Sequence, residues 1–142
     1  LTIPFFKMEG KMEQLTYIEV GNRRFPIKCD NLVLQQIQNK YGSVKSYEMA
    51  LIGLQVEKDA DGKDKVNEKG EIIFKRVEPS LDAINFGLPL MVNEGIEIEA
   101  EQKNKEFVYM EEKKVIRDIQ IPYVKLSDIM HKELARCFET KK

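Results

Sequence analysis

The residues able to carry covalent or acid–base chemistry are few in this sequence. His131 is the only histidine, and Cys29 and Cys137 are the only cysteines. A thiol nucleophile needs a base within hydrogen-bonding reach. On one helix, the spacing between His131 and Cys137 turns them about 240° apart, so they cannot face one another. A Cys29/His131 pair stays open on spacing alone, although each has a plainer reading, as a core thiol at a strand end and a partly exposed helical residue. Two cysteines this far apart fit neither a disulfide framework nor a zinc pattern, which needs four ligands at short paired spacings. Buried free thiols in a reducing cytoplasm are expected.

Carboxylates are plentiful, 24 against 23 lysines and arginines. Glu111-Glu112 and the acids from Glu97 to Glu101 read as solvated faces rather than as a general acid and its partner. The Asp59-x-Asp61-Gly62 run has the look of a calcium loop, but such a loop needs glycine at its sixth position and a bidentate acid at its twelfth. Those positions hold Asp64 and Gly70. The glycines form neither a phosphate loop nor a dinucleotide fingerprint. Tyr17, Phe25 and Arg23-Arg24 could stack on and pair with RNA, but the plainer arrangement turns the aromatics to the core and the arginines to water. No catalytic, cofactor-binding or metal-ligating residue is therefore expected, and the chain reads as a protein without enzymatic activity.

Composition narrows the class further. At 142 residues the chain suits one domain with a real core. A net charge of −1 supplies no field that would draw it to nucleic acid or to an anionic surface. Its apolar runs fall short of the roughly 20 residues of a membrane span, and Leu1 to Phe6 lacks the basic start and cleavage site of a signal peptide. No nucleic-acid or membrane partner is expected. Residues 1–15 are expected to lie outside the fold, either disordered or, up to Lys11, an upstream extension arising from gene-start assignment ahead of Met12.

The elements that must position these residues begin with a hairpin, two strands within Thr16 to Lys28 around Gly21-Asn22, with Pro26 marking the second strand as an edge. Asp30 is a natural N-cap for a helix ending at Gly42, with Leu34, Ile37 and Tyr41 as its apolar stripe and Val33 at the margin. Ser43 or Ser46 caps a second helix, buried through Tyr47, Ala50, Leu51 and Leu54. A polar loop or loose hairpin follows over 57–71, and Ile72 to Phe74 reads as a short strand returning to the core. Ser80 caps a helix from Leu81 that is apolar nearly all round, is interrupted at Pro89 and ends at Asn93-Glu94-Gly95. Residues 96–105 read as a connector, Glu111 opens a further helix, and Ser127 caps a last one buried through Ile129, Met130, Leu134, Cys137 and Phe138. The fold class is α+β: a small antiparallel sheet from the N-terminal β-hairpin packed against four or five helices.

Three segments together resemble the tail assembly chaperones encoded by tailed phages and prophages. They are Tyr17-Ile-Glu-Val-Gly-Asn-Arg-Arg-Phe-Pro-Ile-Lys28, the helix closing on Ile37-Gln-Asn-Lys-Tyr-Gly42, and Leu81-Asp-Ala-Ile-Asn-Phe-Gly-Leu-Pro-Leu-Met-Val-Asn-Glu-Gly95. They cover about half of the chain, and their order and wording carry the likeness. The polar insertion over 57–71 and Pro89 depart from it. The resemblance implies a noncatalytic protein of the bacterial host's cytoplasm that binds the tail tube or tape measure protein during morphogenesis and is absent from the finished particle. Another phage structural protein, a minor tail or head-tail connector component, is the alternative.

Sheltering an aggregation-prone segment requires apolar surface. Phe86, Leu90 and Val92, on the second face of the apolar helix, are the residues expected to contact a partner or a second copy of the chain. The competing expectation is that they complete this domain's own core.

Overall fold

Strands Thr16–Val20 (β1) and Arg23–Ile27 (β2) pair antiparallel, with Ile18 opposite Phe25 and Tyr17 opposite Pro26. Gly21 takes the positive φ, 61°, that lets the two-residue turn follow the strands' twist. The structure, a computed structural model, describes residues 14–139. The expectation for residues 1–15 therefore falls almost wholly outside the described residues, as do Lys141 and Lys142. Gln14 and Leu15 are irregular backbone leading into β1.

Asp30 caps α1 (Asn31–Tyr41), its carboxylate accepting from the amides of Leu32 and Val33 at 3.1 and 3.2 Å. Such a cap contributes about 1 kcal/mol. Val33 and Ile37 are the buried residues of α1, so Val33 sits at the centre of the stripe rather than at its margin. Ser43, not Ser46, caps α2 (Val44–Ile52), which buries Tyr47 and Leu51 and ends at Gly53. A Cβ on Gly53 would stand 2.3 Å from the Val77 carbonyl oxygen, and the left-handed turn there diverts the chain into a strand. Leu54, expected on the helix, thus begins β3 (Leu54–Val56), which pairs antiparallel with β4 (Phe74–Arg76).

These strands form a second sheet, separate from the hairpin. The expected return of Ile72 to Phe74 to the core does not occur, and Phe74 is exposed. Strand register places Val56, Phe74, Ile72 and Val66 on one apolar face of a largely exposed arm. Within the arm, two short loops have the same construction. Asp59 Oδ1 accepts the amides of Asp61 and Lys63, and Asn67 Oδ1 accepts those of Lys69 and Glu71, while Gly62 and Gly70 each take φ of 80°. The polar stretch over 57–71 satisfies its own backbone and draws little on the rest of the protein.

The spine of the domain is α3, which runs from Leu81 to Gln102 without a break, about 33 Å at 1.5 Å per residue. Two expectations are corrected here. Pro89 does not end or divide the helix, and Asn93-Glu94-Gly95 does not stop it, so most of the supposed connector over 96–105 is helical. Pro89 forfeits one backbone hydrogen bond, a cost of about 3 kcal/mol offset by its own burial and that of Leu88, Met91 and Val92 around it. Gly95 is a close-approach residue instead of a cap. A Cβ there would lie 2.5 Å from the Pro26 carbonyl oxygen, and the Lys28 amide just beyond β2 donates to the Met91 carbonyl at 2.9 Å.

Two helices close the fold. Helix α4 (Glu112–Asp118) starts close to the expected Glu111 and buries Val115. Helix α5 (Tyr123–Arg136) starts directly after Pro122, so Ser127 is an interior residue and not its cap. Its hydroxyl donates to the Leu51 carbonyl at 2.6 Å and ties α5 to α2. Met130 and Leu134 are buried as expected, Ile129 and Cys137 only partly, and Phe138 is exposed. The core joins β1, β2 and all five helices through Ile18, Phe25, Ile37, Tyr47, Leu88, Met91, Val115 and Met130. The architecture is α+β, as the sequence implied.

Candidate functional site

An open groove of about 430 Å³ lies between α1 and α3. Leu32, Val33 and Gln36 form its α1 wall, and Pro89, Leu90, Asn93 and Glu94 form its α3 wall. The third side is the irregular chain leading into α4 together with that helix's first residue, Glu112. Asn93 donates through Nδ2 to the Met110 carbonyl at 3.0 Å and accepts the Met110 amide at 2.7 Å, which sets Tyr109 and Glu112 at the groove's edge.

Of the three residues expected to meet a partner, Leu90 lines this groove and is half-buried. Phe86 lies one turn earlier, also half-buried, with its ring 5.9 Å from that of Tyr41 and the Lys40 ammonium 5.5 Å from its centroid. Val92 is a correction. It is fully buried in the core. The periodicity of α3 could not separate Val92 from Leu90, since residues that pack inside and residues left open are equally apolar.

The exposed face of α3 changes character along its length. Phe86, Leu90, Asn93, Glu94, Glu97 and Glu101 fall within a sector of about 100°. Its first half is thus apolar and its second acidic. Glu94 is hydrogen-bonded to Asp30, the cap of α1, and this contact, with burial and the nearby charges of Glu97 and Glu101, pushes its carboxyl up to about 8. Glu94 is therefore largely protonated at neutral pH. The charges that raise its carboxyl, those of Asp30, Glu97 and Glu101, are all negative. Tyr109 donates to Glu97 at 2.6 Å, and that bond raises the phenol above its ordinary range.

Sequence reading missed Leu32, Gln36, Asn93, Glu94 and Tyr109. Leu32, 64% exposed, stands off the buried stripe of α1, an apolar residue at a helix position facing water. That mismatch was the available signal. Nothing local foretold the pairing of Asp30 with Glu94, which depends on α3 continuing past Asn93.

The residues considered for catalysis lie elsewhere. His131 pairs with Glu48 at 2.9 Å and lines none of the described grooves. Cys29 is buried, and burial, then the adjacent Cys137 thiol, pushes its own thiol far up. Such a thiol is a poor nucleophile. Cys137 donates through Sγ to the Cys29 carbonyl at 3.2 Å. Beside them Glu133, 3% exposed, accepts the Cys29 amide at 2.7 Å and the Thr16 hydroxyl at 3.2 Å, and pairs with Arg136. This cluster ties the hairpin to α5 and uses its polar atoms on the protein's own backbone and side chains. Among the described residues no group of acids, cysteines and histidine is arranged to hold a metal ion, and no helix is long and apolar enough to cross a membrane.

No protein-family model, curated protein or solved structure matches this chain.

Proposed function

We propose that this protein is a noncatalytic tail assembly chaperone of a tailed phage or prophage. It acts in the cytoplasm of the bacterial host and holds an apolar segment of the tail tube or tape measure protein in the groove between α1 and α3. The observation that carries the reading is the open groove lined by half-buried Leu90 and by the exposed Leu32 and Tyr109, with half-buried Phe86 one turn before Leu90 on the same helix. An apolar surface of this kind, rimmed by polar groups, is how one polypeptide shelters another.

The resemblance supports the tail assignment. Its three segments are not scattered over the surface: β2 and α1 both pack on α3, and the same α1 and α3 form the walls of the groove.

The test is co-expression with tail tube and tape measure proteins of a tailed phage. One of them co-purifies with the wild-type protein and gains soluble yield. Leu90→Asp loses the complex while melting within a few degrees of wild type. Stable incorporation into purified particles would instead make the chain a structural component of the tail.

A further inference from the structure

The change along α3 from an apolar to an acidic face specifies what the groove holds. We infer that its occupant is an amphipathic helix of another polypeptide, with an apolar ridge followed by lysine or arginine, laid along α3 so that the ridge meets Leu32, Phe86 and Leu90 and the cations meet Glu97, Glu101 and Glu112. The inference deepens the chaperone reading and relies on it only in taking the occupant to be a polypeptide.

Two arguments lead there. The first is backbone chemistry. Both main walls are helices, whose backbone is bonded internally except for the one bond Pro89 forfeits, so these walls offer a partner no strand edge to extend. An occupant must satisfy its own backbone, and a helix does so. Two helical walls with apolar side chains between them form the seat into which a third helix places residues at i, i+3, i+4 and i+7.

The second is charge. Glu94 is faced by Asp30 from the cap of α1 and by Glu97 and Glu101 from its own helix, and Tyr109 and Glu112 line the third side of the groove. The nearby cations are engaged elsewhere: Lys103 pairs with Glu99, Lys114 with Asp118, and Lys40 lies over Phe86 at the apolar end. Lys28 lies within electrostatic reach of Asp30, but among the described residues no ion pair engages Glu94, Glu97, Glu101 or Glu112, and a basic partner supplies one. A cation arriving there also favours ionisation of Glu94, so binding releases a proton.

The experiment uses the full chain and two labelled helical peptides that share one leucine ridge and differ in carrying lysines or glutamates beyond it. The lysine peptide is expected to bind at least about tenfold tighter, with the difference shrinking as salt is raised. Leu32→Asp abolishes binding of both, Glu97→Gln with Glu101→Gln removes the preference, and circular dichroism reports that each variant is folded. Affinity for the lysine peptide rises between about pH 6.5 and 8.5 in wild type and stays level in Glu94→Gln.

Equal binding of the two peptides, or undiminished binding by Leu32→Asp, overturns the inference. So does a dimer in sedimentation that Leu32→Asp dissolves, because a second copy then fills the groove. Co-purification of a tail protein irrespective of Glu97 and Glu101 overturns the inference and leaves the chaperone reading intact. Preference for the lysine peptide without capture of any tail protein upholds the groove chemistry and removes the tail assignment.

Discussion

Glu133 on α5 accepts the backbone amide of Cys29 at 2.7 Å, joining residues 104 positions apart. The same carboxylate takes the Thr16 hydroxyl and the Arg136 guanidinium, so one side chain fastens β1 and the chain just beyond β2 to the last helix. Removing it leaves the Cys29 amide without that acceptor, and Arg136 without its nearest carboxylate. Glu133→Ala is therefore expected to cost about 3 kcal/mol in denaturant unfolding. Glu133→Gln, which keeps an acceptor and loses the charge, should cost distinctly less. Equal losses for the two would mean that packing volume, not hydrogen bonding, is what Glu133 supplies.

Gly95 and Gly87 give a graded prediction. A methyl at Gly95 meets the Pro26 and Ile27 backbone at 2.5–2.8 Å, and the backbone cannot yield without parting β2 from α3. At Gly87 the obstruction is the Tyr47 hydroxyl at 2.0 Å, whose side chain also donates to the Ala83 carbonyl. Alanine gains about 1 kcal/mol over glycine in an exposed helix. Here both substitutions are expected to destabilise, by about 1–3 kcal/mol at Gly87 and by more at Gly95. A rise in melting temperature for either would contradict the close approach.

The Glu94–Asp30 pair predicts a pH dependence. The folded-state pKa of Glu94, about 8, lies above the ordinary carboxylate value, so the native protein keeps a proton that the unfolded chain releases. The stability that this group contributes is complete below the unfolded pKa and is lost as pH rises through about 8. Melting temperature should decline more steeply from pH 5 to pH 8 in wild type than in Glu94→Gln. Asp118, held low chiefly by hydrogen bonds from Arg23 and Lys114, acts only at more acid pH and does not confuse the comparison.

Thiol chemistry offers an inexpensive check. Cys29, buried and with its thiol pushed far up, should resist alkylation in the native protein and react on unfolding. Half-buried Cys137 should react first. Rapid modification of Cys29 at neutral pH would place it in a different environment.

Leu32 separates binding from folding most cleanly. It is exposed near the start of α1, where an added carboxylate complements the helix dipole, so Leu32→Asp should change stability by no more than about 0.5 kcal/mol. Partner binding, measured by calorimetry, should fall at least about tenfold, since the substitution sets a charge in the apolar half of the groove.

Where local signals decide structure, the sequence was readable. Asp30 as cap, Gly42 as stop and Gly21-Asn22 as turn are set by a few neighbouring residues, and each was placed. Three of the errors share one cause. Pro89, Gly95 and Ser127 carry strong local meanings as breaker, stop and cap, and tertiary contacts override all three. Gly95 lacks a side chain because β2 crosses there, and Ser127 bonds across to α2. The candidate site was half legible for the same reason. Leu90 could be marked as apolar on a second face, but the wall opposite comes from α1 and from chain pinned by Asn93, and no periodicity within α3 encodes either.

The arm formed by β3, β4 and its twin Asx loops closes its own hydrogen bonds and contributes none of the core side chains. It is consequently the place where foreign sequence can be spliced in, between Asp61 and Lys63, giving an epitope or fluorophore handle on a molecule whose two ends need not be touched.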